Sequence, residues 1–267
     1  MSILAKKDCL TANTRLQKEA AVKQYRVYLR LVTYHPLLAL IFWLIGVVAG
    51  VLYWFSALGR SGVAFEYLSE LPSVTVLIWK IFCELMLVCA VWLSVKNHIH
   101  KVLAVSISTI FIADIILALG YISYAGYIFI VAHLLAIFGY YKSLDTSRLN
   151  KWRNAMGFSI LAGVVMLAVF LFIETGSLSI LMLFPIFSAA VAVSALRSRF
   201  PLLLTSFGAT IFWLSDMLFV YASTLLENII VISWLVWPTF FGGLSLMVLG
   251  IMINGRLRET KPNGISR

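Results

Sequence analysis

Two aspartates stand inside long apolar segments of the chain, Asp114 in TIFIADIILALGY and Asp216 in IFWLSDMLFVYA. A carboxylate at the centre of a lipid bilayer costs on the order of 3 kcal/mol or more, so such residues normally face a bundle interior or a hydrated cavity. Two carboxylates in one low-dielectric site can differ in protonation, one neutral and one ionised. The pair therefore predicts acid/base catalysis, in which one aspartate protonates a substrate and the other stabilises the resulting cation.

Four further polar residues share these apolar surroundings. Lys80 and Glu84 lie in VLIWKIFCELMLV, His133 lies in YIFIVAHLLAIF, and Ser215 directly precedes the second aspartate. Lys80 and Glu84 are four residues apart, so they share one helix face and can pair with each other. A self-neutralising pair and a hydrogen-bonded packing histidine are the structural alternatives. We interpret all four as residues that bind substrate or tune the protonation of the two catalytic aspartates.

Other kinds of catalytic centre have no signature in the sequence. The single intramembrane histidine and the scattered acids lack the HExxH spacing of a zinc hydrolase. No GxSxG nucleophile motif and no glycine-rich phosphate loop occurs. We therefore predict a reaction that uses neither a metal nor a cofactor.

The composition indicates an integral membrane protein. The chain of 267 residues is 62% apolar, well above the 45–50% or so of soluble domains. Its net charge of +10 could suggest a nucleic-acid partner, but the basic residues cluster at the ends of apolar segments, where they set membrane topology. We expect membrane lipid and no nucleic acid around this chain.

The apolar segments predict an all-α bundle of eight transmembrane helices, because each span needs about 20 apolar residues. The predicted spans are roughly 37–58, 74–95, 102–120, 124–141, 155–173, 178–196, 202–223 and 229–253. With both termini in the cytoplasm, 19 of the 21 basic residues fall on the cytoplasmic side. The sequence thus divides into a basic amphipathic N-terminal segment (1–36) on the inner leaflet, a transmembrane domain (37–254) and a short basic tail (255–267).

The two aspartates occupy corresponding positions in this topology. FIADIIL and WLSDMLF each fall in the third helix of a four-helix half. This weak internal similarity predicts a parallel 4+4 repeat. Counting about 1.5 Å per residue from the inner ends of spans three and seven places Asp114 near 20 Å and Asp216 near 22 Å. Because Lys80, Glu84 and His133 fall at overlapping depths, we expect the polar residues to meet in one layer.

Two stretches and one lysine resemble the motifs of the YhhN-like lysoplasmalogenase family of eight-helix membrane proteins. The first runs from Asp114-Ile-Ile-Leu through Gly126 and Phe129 to Ala132-His133-Leu134, similar to the family's GD-x-x-L and G-x-x-F-x-x-A-H. The second comprises Gly208, Phe212 and Ser215-Asp216, similar to G-x-x-x-F-x-x-S-D, and Lys80 is similar to the lysine that opens the family's first motif. The resemblance spans about residues 75–250.

The resemblance implies hydrolysis of the vinyl ether bond of lysoplasmalogens, which yields a fatty aldehyde and glycerophosphoethanolamine or glycerophosphocholine. It agrees with the acid/base chemistry expected of Asp114 and Asp216, and it implies a lysophospholipid or lysoplasmalogen substrate. In a bacterium the expected location is the cytoplasmic (inner) membrane. Two alternatives stay open: a proton-coupled transporter, since buried Asp, Glu, His and Lys also form proton relays, and a non-enzymatic lipid-binding membrane protein.

Overall fold

The computed structural model describes residues 35–60, 73–144, 151–176, 182–225 and 230–257. Within these ranges the chain forms long helices and no β-strand, which confirms the predicted all-α class. The eight helices are α1 (Pro36–Arg60), α2 (Ser73–Trp92), α3 (His98–Ala118), α4 (Ile122–Tyr141), α5 (Lys151–Thr175), α6 (Leu183–Arg197), α7 (Phe207–Leu225) and α8 (Ile230–Leu257). A π-helical turn at Leu202–Ser206 leads directly into α7.

Seven of the helices described here are long and apolar enough to cross a membrane, and they identify an integral, multi-pass membrane protein. The exception is α6, whose 15 residues extend about 22 Å. It is shorter than the predicted span 178–196, whose first residues lie outside the described ranges. Most of the predicted amphipathic segment (1–36) and of the basic tail (255–267) also lies outside them.

Seven helices form a closed ring in the order α1, α2, α3, α4, α6, α7, α8 and back to α1, and α5 packs against α6 and α7. Lipid tails are as apolar as the helices, so association depends on close packing, which small residues permit. Alanines accordingly fill the contacts on α4 and α6, where Ala125, Ala132, Ala189, Ala192 and Ala195 have no exposed surface. The ring thereby encloses an interior that can hold polar side chains away from lipid.

A tight turn joins α3 to α4 and determines which of their side chains face each other. The backbone N–H of Gly120 donates to the carbonyl of Leu117, and that of Tyr121 donates to the carbonyl of Ile116, the two bonds of a Schellman motif. Gly120 has φ +89°, a left-handed conformation that glycine adopts without a Cβ clash. The resulting antiparallel hairpin places Asp114, near the end of α3, beside the first turns of α4.

The backbones of α7 and α8 touch at a pair of glycines. A Cβ on Gly243 would lie 2.6 Å from the backbone nitrogen of Phe212 and 2.7 Å from the carbonyl oxygen of Gly208. This approach brings the serine and aspartate that follow Phe212 against the early part of α8, where the hydroxyl of Ser215 donates to the carbonyl of Val236 (3.0 Å). The glycine contact therefore fixes the position of Asp216 in the ring.

We expect Gly243→Ala to lower the free energy of unfolding by about 1–3 kcal/mol, the usual effect of overpacking, because the added methyl meets backbone that cannot move independently. The neighbouring Gly242 is a matched control, since its Cβ would have no atom within 4 Å. Alanine there should be neutral or stabilise by up to about 1 kcal/mol through helix propensity. Thermal unfolding of the two variants in detergent compares them directly, and equal melting temperatures would contradict the close α7–α8 contact.

Candidate active site

A cavity of about 260 Å³ lies inside the ring, and all seven ring helices contribute to its wall. It occupies the half of the bundle near the α3–α4 turn, since its wall includes Leu117 at the end of α3 and Ile122 at the start of α4. Five of the six residues singled out from the sequence line this cavity: Lys80, Asp114, His133, Ser215 and Asp216. The two aspartates, which come from helices that are not neighbours in the ring, therefore face the same space.

Asp114 is paired with a lysine from the adjacent helix. The Nζ of Lys80 lies 2.5 Å from Oδ2 of Asp114, and the two side chains are 16% and 9% exposed. The same ammonium group lies 5.4 Å from the ring centroid of Trp237 on α8, within the range of a cation–π interaction. Lys80 thus connects α2, α3 and α8, and its close partner is Asp114 instead of Glu84, the residue that helical spacing alone suggested.

Glu84 lies outside the cavity wall but close to this ion pair. It is 1% exposed and interacts electrostatically with both Asp114 and Lys80. Glu84 therefore can affect the electrostatics of Asp114 without touching a molecule in the cavity.

Asp216 faces a histidine whose second nitrogen is already engaged. Nδ1 of His133 lies 2.5 Å from the carbonyl oxygen of Phe129, and because a carbonyl can only accept, Nδ1 carries a proton and donates it. Nε2 lies 3.6 Å from Oδ2 of Asp216. Neither of these two atoms has a hydrogen-bond partner among the described residues. A shift of less than 1 Å would bring the two atoms to hydrogen-bond distance.

Ser215 lines the cavity and also hydrogen-bonds to α8 close to an internal proline. Pro238 lies inside α8, and proline has no N–H to donate to the carbonyl one turn earlier. Side chains hydrogen-bond to carbonyls in the turn before Pro238, from Ser215 to the carbonyl of Val236 and from Thr239 to the carbonyls of Leu235 and Val236. The position of Ser215 is thus consistent with a structural role in addition to the predicted contact with substrate.

Aromatic side chains form most of the remaining wall, and the sequence did not single them out. Tyr53 on α1 and Trp237 on α8 meet edge to face with ring centroids 4.5 Å apart. Phe129, Phe184 and Phe240 face the same space. The only feature of the sequence that marks Trp237 as a cavity residue is the proline that follows it. Tyr53 lies in an apolar run that carries no such mark. The wall therefore combines two acid–base pairs with a large apolar surface, as a bound amphiphile would require.

The described part of the chain contains no cluster of three or more His, Cys, Asp or Glu side chains that could hold a metal ion. No family model, curated protein or solved structure matches the chain.

Proposed function

We propose that this protein is an intramembrane hydrolase that cleaves the vinyl ether bond of lysoplasmalogens, the activity implied by its resemblance to YhhN-like lysoplasmalogenases. One observation carries the proposal: two aspartates line one cavity of about 260 Å³, and each has a different basic partner. Carboxylates in different environments can divide the roles of proton donor and charge stabiliser between them. Vinyl ether hydrolysis requires both roles.

The partners favour a particular division of these roles. Asp114 forms an ion pair with Lys80, whose Nζ is 2.5 Å away, and this carboxylate can stabilise a cation. Asp216 faces His133, whose Nε2 is 3.6 Å away, and we propose that the two share a proton that the pair can release and take back. We therefore assign general acid catalysis to Asp216 with His133, and electrostatic stabilisation to Asp114.

The Asp216–His133 pair transfers its proton to the vinyl carbon remote from the ether oxygen, and the carbon next to oxygen becomes an oxocarbenium ion beside the Asp114 carboxylate. Water adds to that carbon and gives up a proton, which restores the protonated pair. The hemiacetal then collapses, its hydroxyl proton moves to the leaving glycerol oxygen, and the products are a fatty aldehyde and a glycerophospho-alcohol. Glycosidases use two carboxylates on an oxocarbenium ion in a similar way.

The setting suits a lipid with one chain. The aromatic wall around Phe129, Phe184 and Phe240 provides an apolar surface for the hydrocarbon, while the polar residues of the same cavity surround the bond to be cleaved. Lys80 supplies a positive charge in the cavity wall that a phosphate headgroup could contact, and Ser215 offers hydroxyl lone pairs. A lysophospholipid is therefore the substrate class that we propose.

We further propose the orientation expected from the basic residues, with both termini cytoplasmic and the cavity in the outer half of the membrane. In a bacterial cell this would be the cytoplasmic membrane. The equivalent positions of α3 and α7, each an outward helix that carries a cavity aspartate, support a parallel 4+4 repeat. A reporter fused to the C-terminus that proved extracytoplasmic would contradict this orientation.

A proton-coupled transporter is the second candidate, and the proline inside α8 is the observation that favours it. Pro238 follows Val236 and Trp237, which line the cavity, and transporters often carry helix-disrupting residues at their binding sites. This candidate predicts substrate uptake into proteoliposomes that depends on a pH gradient. It also predicts that no bond in the substrate is cleaved.

The test is an assay of purified protein on a panel of lysolipids with aldehyde release as the readout. We expect aldehyde from 1-alkenyl lysolipids and none from matched acyl or saturated alkyl lysolipids, because only the vinyl ether is activated by protonation at carbon. The 1-alkyl lipid is the sharpest control, since it differs by a single double bond. Absence of aldehyde from every alkenyl lipid would contradict the proposed hydrolase, and binding without turnover would favour a lipid-binding protein.

A further inference from the structure

A second, smaller cavity of about 100 Å³ opens between α4 and α6 on the outside of the ring. Its wall includes Ile122, Tyr127 and Leu183, whose surfaces are 51%, 63% and 36% exposed. Because these residues belong to helices of the membrane domain, this cavity faces the lipid. Its wall contains none of the charged residues of the catalytic cavity.

The two cavities share part of their walls. Ile122, Gly126 and Phe184 line both of them. Gly126 provides no side chain at this position, and a Cβ there would lie 2.9 Å from Cζ of Phe184. The Phe184 ring packs edge to face on Phe129, with centroids 6.1 Å apart, and lies 6.5 Å from the ring of Phe219. A glycine and one aromatic ring therefore separate the lipid-facing cavity from the catalytic cavity.

We propose that this position is a lateral portal, a binding site through which a single hydrocarbon chain extends from the membrane between α4 and α6 into the catalytic cavity, with Phe184 as the movable gate. The identity of that chain as the tail of a lysophospholipid rests on the proposed function. Rotation of the Phe184 ring would join the two cavities along the wall that they share, and we expect the opening to admit one hydrocarbon chain and not two. Exposed apolar residues line the outer side and aromatic rings line the inner side, so a chain remains in apolar surroundings along the whole path.

Photo-crosslinking in nanodiscs tests the portal independently of turnover. The probe is an acyl lysophosphatidylcholine with a diazirine near the end of its chain, which has no vinyl ether to be cleaved. We expect crosslinks on α4 and α6 around Tyr127 and Leu183 and on the aromatic wall of the catalytic cavity. The lipid-facing surface of α5, where Met166 and Ile173 are each 72% exposed, should be labelled at background level. Equal labelling of α5 would contradict the portal.

Substitutions at the shared wall locate the path. Gly126→Leu fills the space between the two cavities, and we expect it to reduce crosslinks inside the catalytic cavity at least fivefold. Gly242→Leu introduces the same residue in α8, where a Cβ would meet nothing within 4 Å, and should leave them unchanged. Combining Gly126→Leu with Phe184→Ala removes the ring that leucine meets and should restore labelling, which a misfolded variant could not do.

The outcomes separate the portal from the hydrolase. Portal labelling that Gly126→Leu blocks, in a protein that releases no aldehyde from alkenyl lipids, would support the portal and contradict the hydrolase. Unchanged labelling of the catalytic cavity in Gly126→Leu would overturn the portal, even if that variant still hydrolyses lysoplasmalogens. A diacyl phosphatidylcholine probe that labels the catalytic cavity as strongly as the lysolipid would overturn the selectivity for one chain.

Discussion

Asp216→Asn is expected to reduce aldehyde release from a lysoplasmalogen by about 10²- to 10⁴-fold, the usual contribution of a positioned general acid. The amide has nearly the same shape as the carboxylic acid but cannot transfer a proton to carbon. Folding should be maintained, since Asp216 has no short hydrogen bond to lose and its ion-pair partner is 3.6 Å away. The measurement is steady-state aldehyde production by purified wild-type and variant protein in the same detergent, with thermal unfolding as the check on folding.

His133 provides the matched variants for this experiment. His133→Asn keeps a donor where Nδ1 contacts the Phe129 carbonyl and removes the nitrogen that faces Asp216. If the histidine and the aspartate act as one unit, Asp216→Asn combined with His133→Asn should be no less active than the worse single variant. Losses that multiply in the double variant would contradict a shared proton and would indicate two independent roles.

The meeting of the two aspartates was predictable because depth in a membrane follows from topology. Apolar runs and the distribution of basic residues predicted helix order and direction, and about 1.5 Å per residue then predicted that Asp114 and Asp216 lie in one layer. The structure has both in one cavity. The partner of Lys80 was not predictable, because Glu84 is nearer along the chain but Asp114 on the next helix is nearer in space. Such contacts depend on how each helix is rotated about its own axis, and the hydropathy of the sequence does not determine that rotation.

The aromatic residues of the cavity wall were even less predictable from the sequence than the partner of Lys80. Tyr53 and Trp237 are far apart in sequence, and they meet because α8 closes the ring against α1, where the indole N–H of Trp237 donates to the carbonyl of Gly50 (3.4 Å). An aromatic residue in an apolar span carries no sign of whether it faces lipid or cavity. The position of a charged residue can be predicted because lipid excludes it. Phenylalanine and tryptophan are stable both in lipid and in an apolar cavity wall.

Lys80→Met is expected to lower the free energy of unfolding by about 3–5 kcal/mol, the usual effect of removing one partner of a buried ion pair. Methionine matches the length of the lysine stem but leaves the Asp114 carboxylate without the ammonium group 2.5 Å away. Denaturant or thermal unfolding in mixed micelles measures the change. Lys101→Met, at an exposed lysine on α3, is the matched control and should have little effect.

A double-mutant cycle separates the charge effect from packing. Adding Asp114→Asn to Lys80→Met replaces the unpaired charge by a neutral amide, so the double variant should recover a large part of the lost stability. Asp216→Asn added to Lys80→Met should give no such recovery, because the basic partner of Asp216 is His133. If both double variants recovered equally, the two aspartates would share one charge network, and the division of catalytic roles between them would be wrong.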